Sequence, residues 1–444
     1  MPDSLTTVGT YVFKGCTGLT NVKLSNSLTR ISESLFYGCT SLTSVSIPEG
    51  VKYVDGYVFK NCANLADVSL PESLTKLGES AFYGCKKLTT IVIPKNVPTI
   101  GSYTFKACTA LANVTLPDNL KAIGESAFYG CTALQKLTIP SKTTTINDYA
   151  FKNCTGLTAV ELPASLTKIG ESAFYASKLA TLTIPDNVAA IGDYAFKNCV
   201  NLADIHLPTS LTKIGESVFY GCAKLTNITI PEKVTSIGSY AFRKCTGLQS
   251  VAFPASLQTI GESSFYGCTA LKAITLPDAV TTIQGYAFKS CTALDTVELS
   301  KNLQNLGDSA FYGCTRLSFV EIPAGVTMMG DYLFSQCSNL GTIWFTGNAP
   351  TIAGHAFSKV TADAYYPSGN ATWTADKMQN YSGQIKWYSD TEIASVESAP
   401  EQETNEPVEN TETVEAPETA EPEMIATPET AEAATLEDSD TVNL

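Results

Sequence analysis

Histidine is nearly missing from the chain: His206 and His355 are the only two in 444 residues. A nucleophile needs a base beside it, so two widely spaced imidazoles leave little room for acyl-transfer chemistry. Clustered C-x-x-C ligand pairs, the signature of a zinc site, do not occur. No apolar run approaches the ~18–20 residues of a membrane-spanning helix. A basic surplus is also lacking. Sixteen of the 43 acidic residues and none of the 29 Lys and Arg lie from Thr391 onward, which leaves 27 acids against 29 bases in residues 1–390. The body is near neutral, without the one-sided positive charge that nucleic acid requires. The opening MPDSLTTVGTYVFKGC has neither a basic n-region nor an apolar h-region. It enters in mid-pattern, which points to a truncated start.

What the chain has instead is a repeat. Phenylalanine stands at 13, 36, 59, 82, 105, 128, 151, 174, 196, 219, 242, 265, 288, 311, 334 and 357. Every step is 23 residues except one of 22, across FYASKLATL (Phe174–Leu182). With that Phe as slot 1, the consensus is F-x-x-C-T-x-L-x-x-V-x-L-P-x-x-L-T-x-I-G-x-x-A. Slots 10 and 12 are apolar with polar residues at 9 and 11, the alternation of a strand buried on one face. Proline at slot 13 ends the strand because it cannot donate to a ladder. One unit cannot bury its own apolar side, but stacked units cover one another. The expectation is a right-handed solenoid of about 16 coils over residues 1–360, with one short parallel strand per coil. The return segments are short and helical or irregular, and IGESAF could form a helical turn.

A second period of 46 runs through the turns. DYAFKNC (Asp148–Cys154) alternates with IGESAFYGC (Ile123–Cys131). Tyr in one turn should therefore meet Ser in the next, with Lys60 beside Tyr37 and Tyr83. All fourteen cysteines fall at slot 4. Equivalent residues in adjacent coils have parallel Cβ vectors, which suit a disulfide poorly, so free buried thiols are expected. The recurring GES lacks the second glycine of G-x-S-x-G and has no histidine in reach. The slot-21 glutamates read as a solvated charge row. Five N-x-S/T sequons, at Asn113, Asn153, Asn227, Asn370 and Asn380, matter only in a secreted eukaryotic context. No enzyme and no cofactor is expected.

Slots 9 and 11 face outward and hold mostly Thr, Ser, Asn and Ala, with scattered charges. The last coils break that rule: Phe319 takes slot 9, Glu321 slot 11, and Trp344 slot 11 of the next coil. Exposed aromatics on a sheet face can be interface hot spots, and these three residues are the candidate protein-binding site. They could equally pack beneath the segment that follows. Residues 361–390, with YYPSG (Tyr365–Gly369), Trp373 and Trp387, read as a C-terminal aromatic cap over the solenoid end. Residues 391–444 are acidic, rich in Pro, Glu and Thr and free of aromatics. Such a segment should be disordered.

The unit C-T-x-L-x-x-V-x-L-P-x-x-L-T-x-I-G-x-x-A-F, as in CTALKAITLPDAVTTIQGYAF (Cys268–Phe288), resembles the BspA-like class of leucine-rich repeats. The likeness covers about residues 5–360. It implies a leucine-rich-repeat solenoid, found in cell-surface or secreted proteins of host-associated bacteria and some protists. It also implies adhesion to host matrix proteins or neighbouring cells as the function. A structural spacer that presents another domain is the alternative. This chain carries no sorting motif or membrane anchor of its own in the sequence given.

Overall fold

The computed structural model describes residues 1–391; the acidic segment beyond Thr391 lies outside them. It forms a parallel β-solenoid in which each 23-residue coil stacks on the last in unbroken register, as in Lys136↔Ala159 and Thr145↔Lys168. The inward slots of one coil show how the core is built. Phe82, Cys85, Leu88, Ile91, Ile93, Val97 and Ile100 are each 3% exposed or less. The sixteen slot-1 phenylalanines make one continuous stack, with neighbouring centroids 5.1 to 6.1 Å apart and near-parallel planes. At that distance parallel rings are offset, the favoured arrangement of their quadrupoles.

One feature differs from the sequence reading, and a second decides between its alternatives. From Phe36 to Ile352 each coil has two strands rather than one: the expected strand at slots 9–11 (Lys136–Thr138) and a two-residue strand at slots 18–19 (Thr145–Ile146). The second ladder breaks between Ala190–Ile191 and Lys213–Ile214, and also between Lys76–Leu77 and Thr99–Ile100. Pro98 stands there, where other coils carry a slot-17 N–H such as that of Lys52, which donates to Thr29. Second, the return turn is not helical, and no helix occurs among the described residues. Each turn up to Gln336 holds two residues with positive φ, for example Ser126 (51°) and Gly130 (73°), or Tyr149 (59°) and Asn153 (59°). A left-handed residue every few positions prevents the i→i−4 bonds of an α-helix. The turn N–H groups instead donate to the next coil: Ser126 to Asp148 O at 2.9 Å, Phe128 to Ala150 O at 2.8 Å and Gly130 to Lys152 O at 2.9 Å. The turns thus add a third line of bonds between coils beside the two strand ladders, and it continues where those ladders are interrupted.

The turns form a wall with the expected 46-residue alternation. Lys106 lies 5.9, 5.3 and 4.6 Å from the ring centroids of Tyr83, Tyr103 and Tyr129. Lys60 sits between Tyr37 and Tyr83 in the same way. The Tyr hydroxyls donate to glutamates of the next turn, Tyr103 to Glu125 at 2.5 Å and Tyr149 to Glu171 at 2.7 Å. These bonds to carboxylates raise both phenols to about 12. The slot-21 glutamates are therefore acceptors in the wall as well as surface charges. The period reaches the sheet too. Ile47, Ile93 and Ile139 donate from slot 12 to Ser69, Thr115 and Glu161 of the following coil, so outer strands pair two by two up to residue 298.

All fourteen cysteines are free, and thirteen are buried. Each buried Sγ lies near the slot-1 carbonyl of the coil before, as Cys108 does at 3.0 Å from Phe82 O. Burial pushes the thiols of Cys62, Cys108, Cys154, Cys199, Cys245 and Cys291 up to about 12. Cys16 is exposed. In the 22-residue coil Ser177 takes the cysteine's place, buried and 3.2 Å from Cys199 Sγ.

Candidate protein-binding face

Along most of the outer face the side chains at slots 9 and 11 are short and polar, and strand after strand shows the same exposed–buried–exposed pattern. The pattern changes at residue 319. Four longer strands, Phe319–Ile322, Thr342–Phe345, Thr361–Tyr366 and Gln384–Ser389, join one parallel sheet. Two outward rows cross this sheet. One runs Phe319, Thr342, Asp363 and Lys386; the other runs Glu321, Trp344, Tyr365 and Tyr388.

The second row is an aromatic ladder. Trp344 stacks on Tyr365 at 5.4 Å, and Tyr365 stacks on Tyr388 at 5.6 Å, each pair tilted by 25°. Burial in the stack raises the Tyr365 phenol, with Asp363 adding to it. Phe319 is 45% exposed. It borders a cleft of about 360 Å³ whose walls include Glu298, Leu299, Glu321 and Pro323. Glu298 and Glu321 are both exposed.

The structure therefore brings all three sequence-predicted residues to one outward surface. Trp344 lies on the outer face and does not pack underneath. The other tryptophans do turn inward. Trp373 and Trp387 pack against Phe345 at 4.8 and 5.6 Å, and their indole N–H groups donate to Gly347 O and Gln379 O. Tyr365 and Tyr388 belong to the same row but escape a sequence search. The connection from Trp344 to its partner Tyr365 is two residues shorter than the repeat, which takes them out of frame. Their own separation of 23 residues was the available signal.

The residues weighed for catalysis are dispersed. His206 is on the outer strand Asp204–His206. His355 stacks on Tyr332 at 4.9 Å, and its Nδ1 lies 3.1 Å from Asp331. The GES serines 80, 126, 172, 217 and 263, and Ser309 of the equivalent Gly-Asp-Ser, are buried at left-handed turn positions. Among the described residues no cluster of His, Cys, Asp and Glu could hold a metal ion, and no helix is long and apolar enough to cross a membrane.

Coil length, slot identities and stacking together define a leucine-rich-repeat solenoid. Residues 1–110, 75–201, 167–293 and 259–368 each match the six-copy pattern of the BspA type leucine rich repeat region, and the chain belongs to that family. It is similar in structure to a leucine-rich repeat protein from Bacteroides ovatus, at 26% identity and a TM-score of 0.68, over 86% of this chain and 88% of that one. A leucine rich cell surface protein from Faecalibacterium prausnitzii is 29% identical over 69% of this chain and 88% of its own, with a TM-score of 0.45. A leucine-rich repeat protein from Eubacterium ventriosum is 25% identical over 70% of this chain and 80% of its own, with a TM-score of 0.46. No curated protein sequence matches the chain.

Proposed function

We propose that this chain is a non-enzymatic protein-binding scaffold that works at a cell surface or after secretion. Its partner is a host or neighbouring-cell protein, engaged through Phe319, Glu321 and Trp344. In this reading residues 361–390 also close the end of the solenoid, so that the aromatic ladder is held on a rigid base. The observation that carries the reading is the exposed Phe319 beside the Trp344–Tyr365–Tyr388 stack. It stands where a polar outer face gives way to large rings. Elsewhere the repeated residues are committed to core and wall. Membership in a leucine-rich-repeat family supports protein binding, and the likeness of the repeat to surface proteins supports the location.

The test is binding of the full chain to a panel of extracellular-matrix and cell-surface proteins. A Phe319→Ala/Trp344→Ala double variant should lose at least about tenfold in affinity for any partner found, as truncated hot spots do, at an unchanged melting temperature. A double variant that binds every partner as the parent does would place the interface elsewhere.

A further inference from the structure

We propose that Glu298, Glu321 and the half-buried Trp344 indole form a receptor for a cationic side chain, a lysine or arginine on an extended segment of the partner protein. This rests on the docking reading above and adds the partner's chemistry. Trp344 uses one ring face against Tyr365. Its register partner on the other side is Glu321, a carboxylate rather than a ring, and Glu298 occupies the same slot one coil further on. Neither glutamate is in an ion pair among the described residues. The nearby bases are engaged or opposed elsewhere. Lys301, which also lines the cleft, is 3.9 Å from Asp278; Arg316 is 3.7 Å from Asp295; Lys386 lies opposite Asp363 in the sheet. Beside both carboxylates and Phe319, the cleft of about 360 Å³ gives room for an incoming side chain.

The opposite wall of the same coils shows what such a set of groups accepts. There Lys289 lies 4.3 Å from the Tyr312 centroid and 5.8 Å from that of Tyr266, a cation held between rings of successive turns. On the outer face the ring and the negative charges are present, and the cation that lines the cleft, Lys301, lies 3.9 Å from Asp278 instead. The negative face of an indole attracts a cation, and two exposed carboxylates add to that attraction. An acidic segment would bring like charges together, and a neutral one would strip water from the carboxylates without pairing them. Because residues 1–390 are near neutral as a whole, the attraction is local to this patch. A segment lying along a strand presents alternate side chains to it, which favours an extended ligand.

The experiment titrates a fluorescent octapeptide of alternating Lys and Ser into the full chain at 0.15 M salt, beside versions with Gln or Glu in place of Lys. The Lys peptide should bind about tenfold tighter than the Gln peptide, and the Glu peptide should be weakest. Glu298→Gln/Glu321→Gln and Trp344→Ala should each bring the Lys peptide down to the Gln level. Equal binding of the Lys peptide by parent and both variants would overturn the inference, since the attraction would then come from the acidic segment after residue 391. If Trp344→Ala abolishes binding of Lys and Gln peptides alike, the cation receptor fails while the docking face stands. If no variant changes any peptide or the matrix panel, both fail.

Discussion

The turn wall and the outer sheet face are built on the same coils and obey different rules. On the turn wall each side chain reaches the next coil. Tyr129 meets Lys106 and Lys152, Tyr103 meets Glu125, and the identities recur down the chain. On the outer face a three-residue strand exposes two side chains that stack on little, and slots 9 and 11 vary from Asp67 to Lys136 to His206. Only the last strands bring ring onto ring there. Uniform sequence thus marks positions that must match a neighbour, and variable sequence marks positions open to a partner.

The comparison can be broken most severely with alkali. The thiols of Cys108 and Cys154 and the phenols of Tyr103 and Tyr149 have folded values of about 12, above their ordinary values of 9.0 and 10.0. Above pH 9 the unfolded chain ionises while the folded chain does not. The stability is therefore intact below pH 9 and is lost progressively toward pH 12. Urea midpoints measured from pH 7 to 11.5 should hold steady and then fall, and a flat profile would mean the thiols are accessible. A maleimide probe at pH 7.5 should label one thiol in the native chain, Cys16, and fourteen after unfolding.

Next in size is the core. Phe151 stacks between Phe128 and Phe174 at 5.4 and 5.3 Å and is fully buried. Phe151→Ala should cost about 3–5 kcal/mol by denaturant titration. A loss below about 1 kcal/mol would show that neighbouring coils collapse into the gap.

The smallest effects contrast the two surfaces directly. Lys106→Gln removes a cation shared by three rings and should cost about 1 kcal/mol. Lys136→Ala, on the exposed outer strand, should stay within about 0.5 kcal/mol of the parent. Equal effects would remove the distinction between wall and face.

The coil, its inward slots and the 46-residue alternation were legible because identical residues recur at fixed spacing, and periodicity reports packing. Phe319 and Trp344 were legible for the opposite reason, as interruptions. The strand at slots 18–19 was not, because a single polar–apolar pair such as Thr145–Ile146 has no alternation to detect. The left-handed turns carry Ser and Tyr at one position, so no glycine announced them. The Tyr–Glu bonds join residues 22 apart, and nothing in either segment alone points to the other.

The alternation of turns has a consequence for how such a chain changes length. Removing a single coil would bring two ESAFY turns together, setting Glu against Glu and Tyr against Tyr with the lysine between them gone. Removing two restores every contact. The natural increment for growth or shortening of this protein is therefore 46 residues, and variants that differ by an odd number of coils should carry a visible repair at the seam.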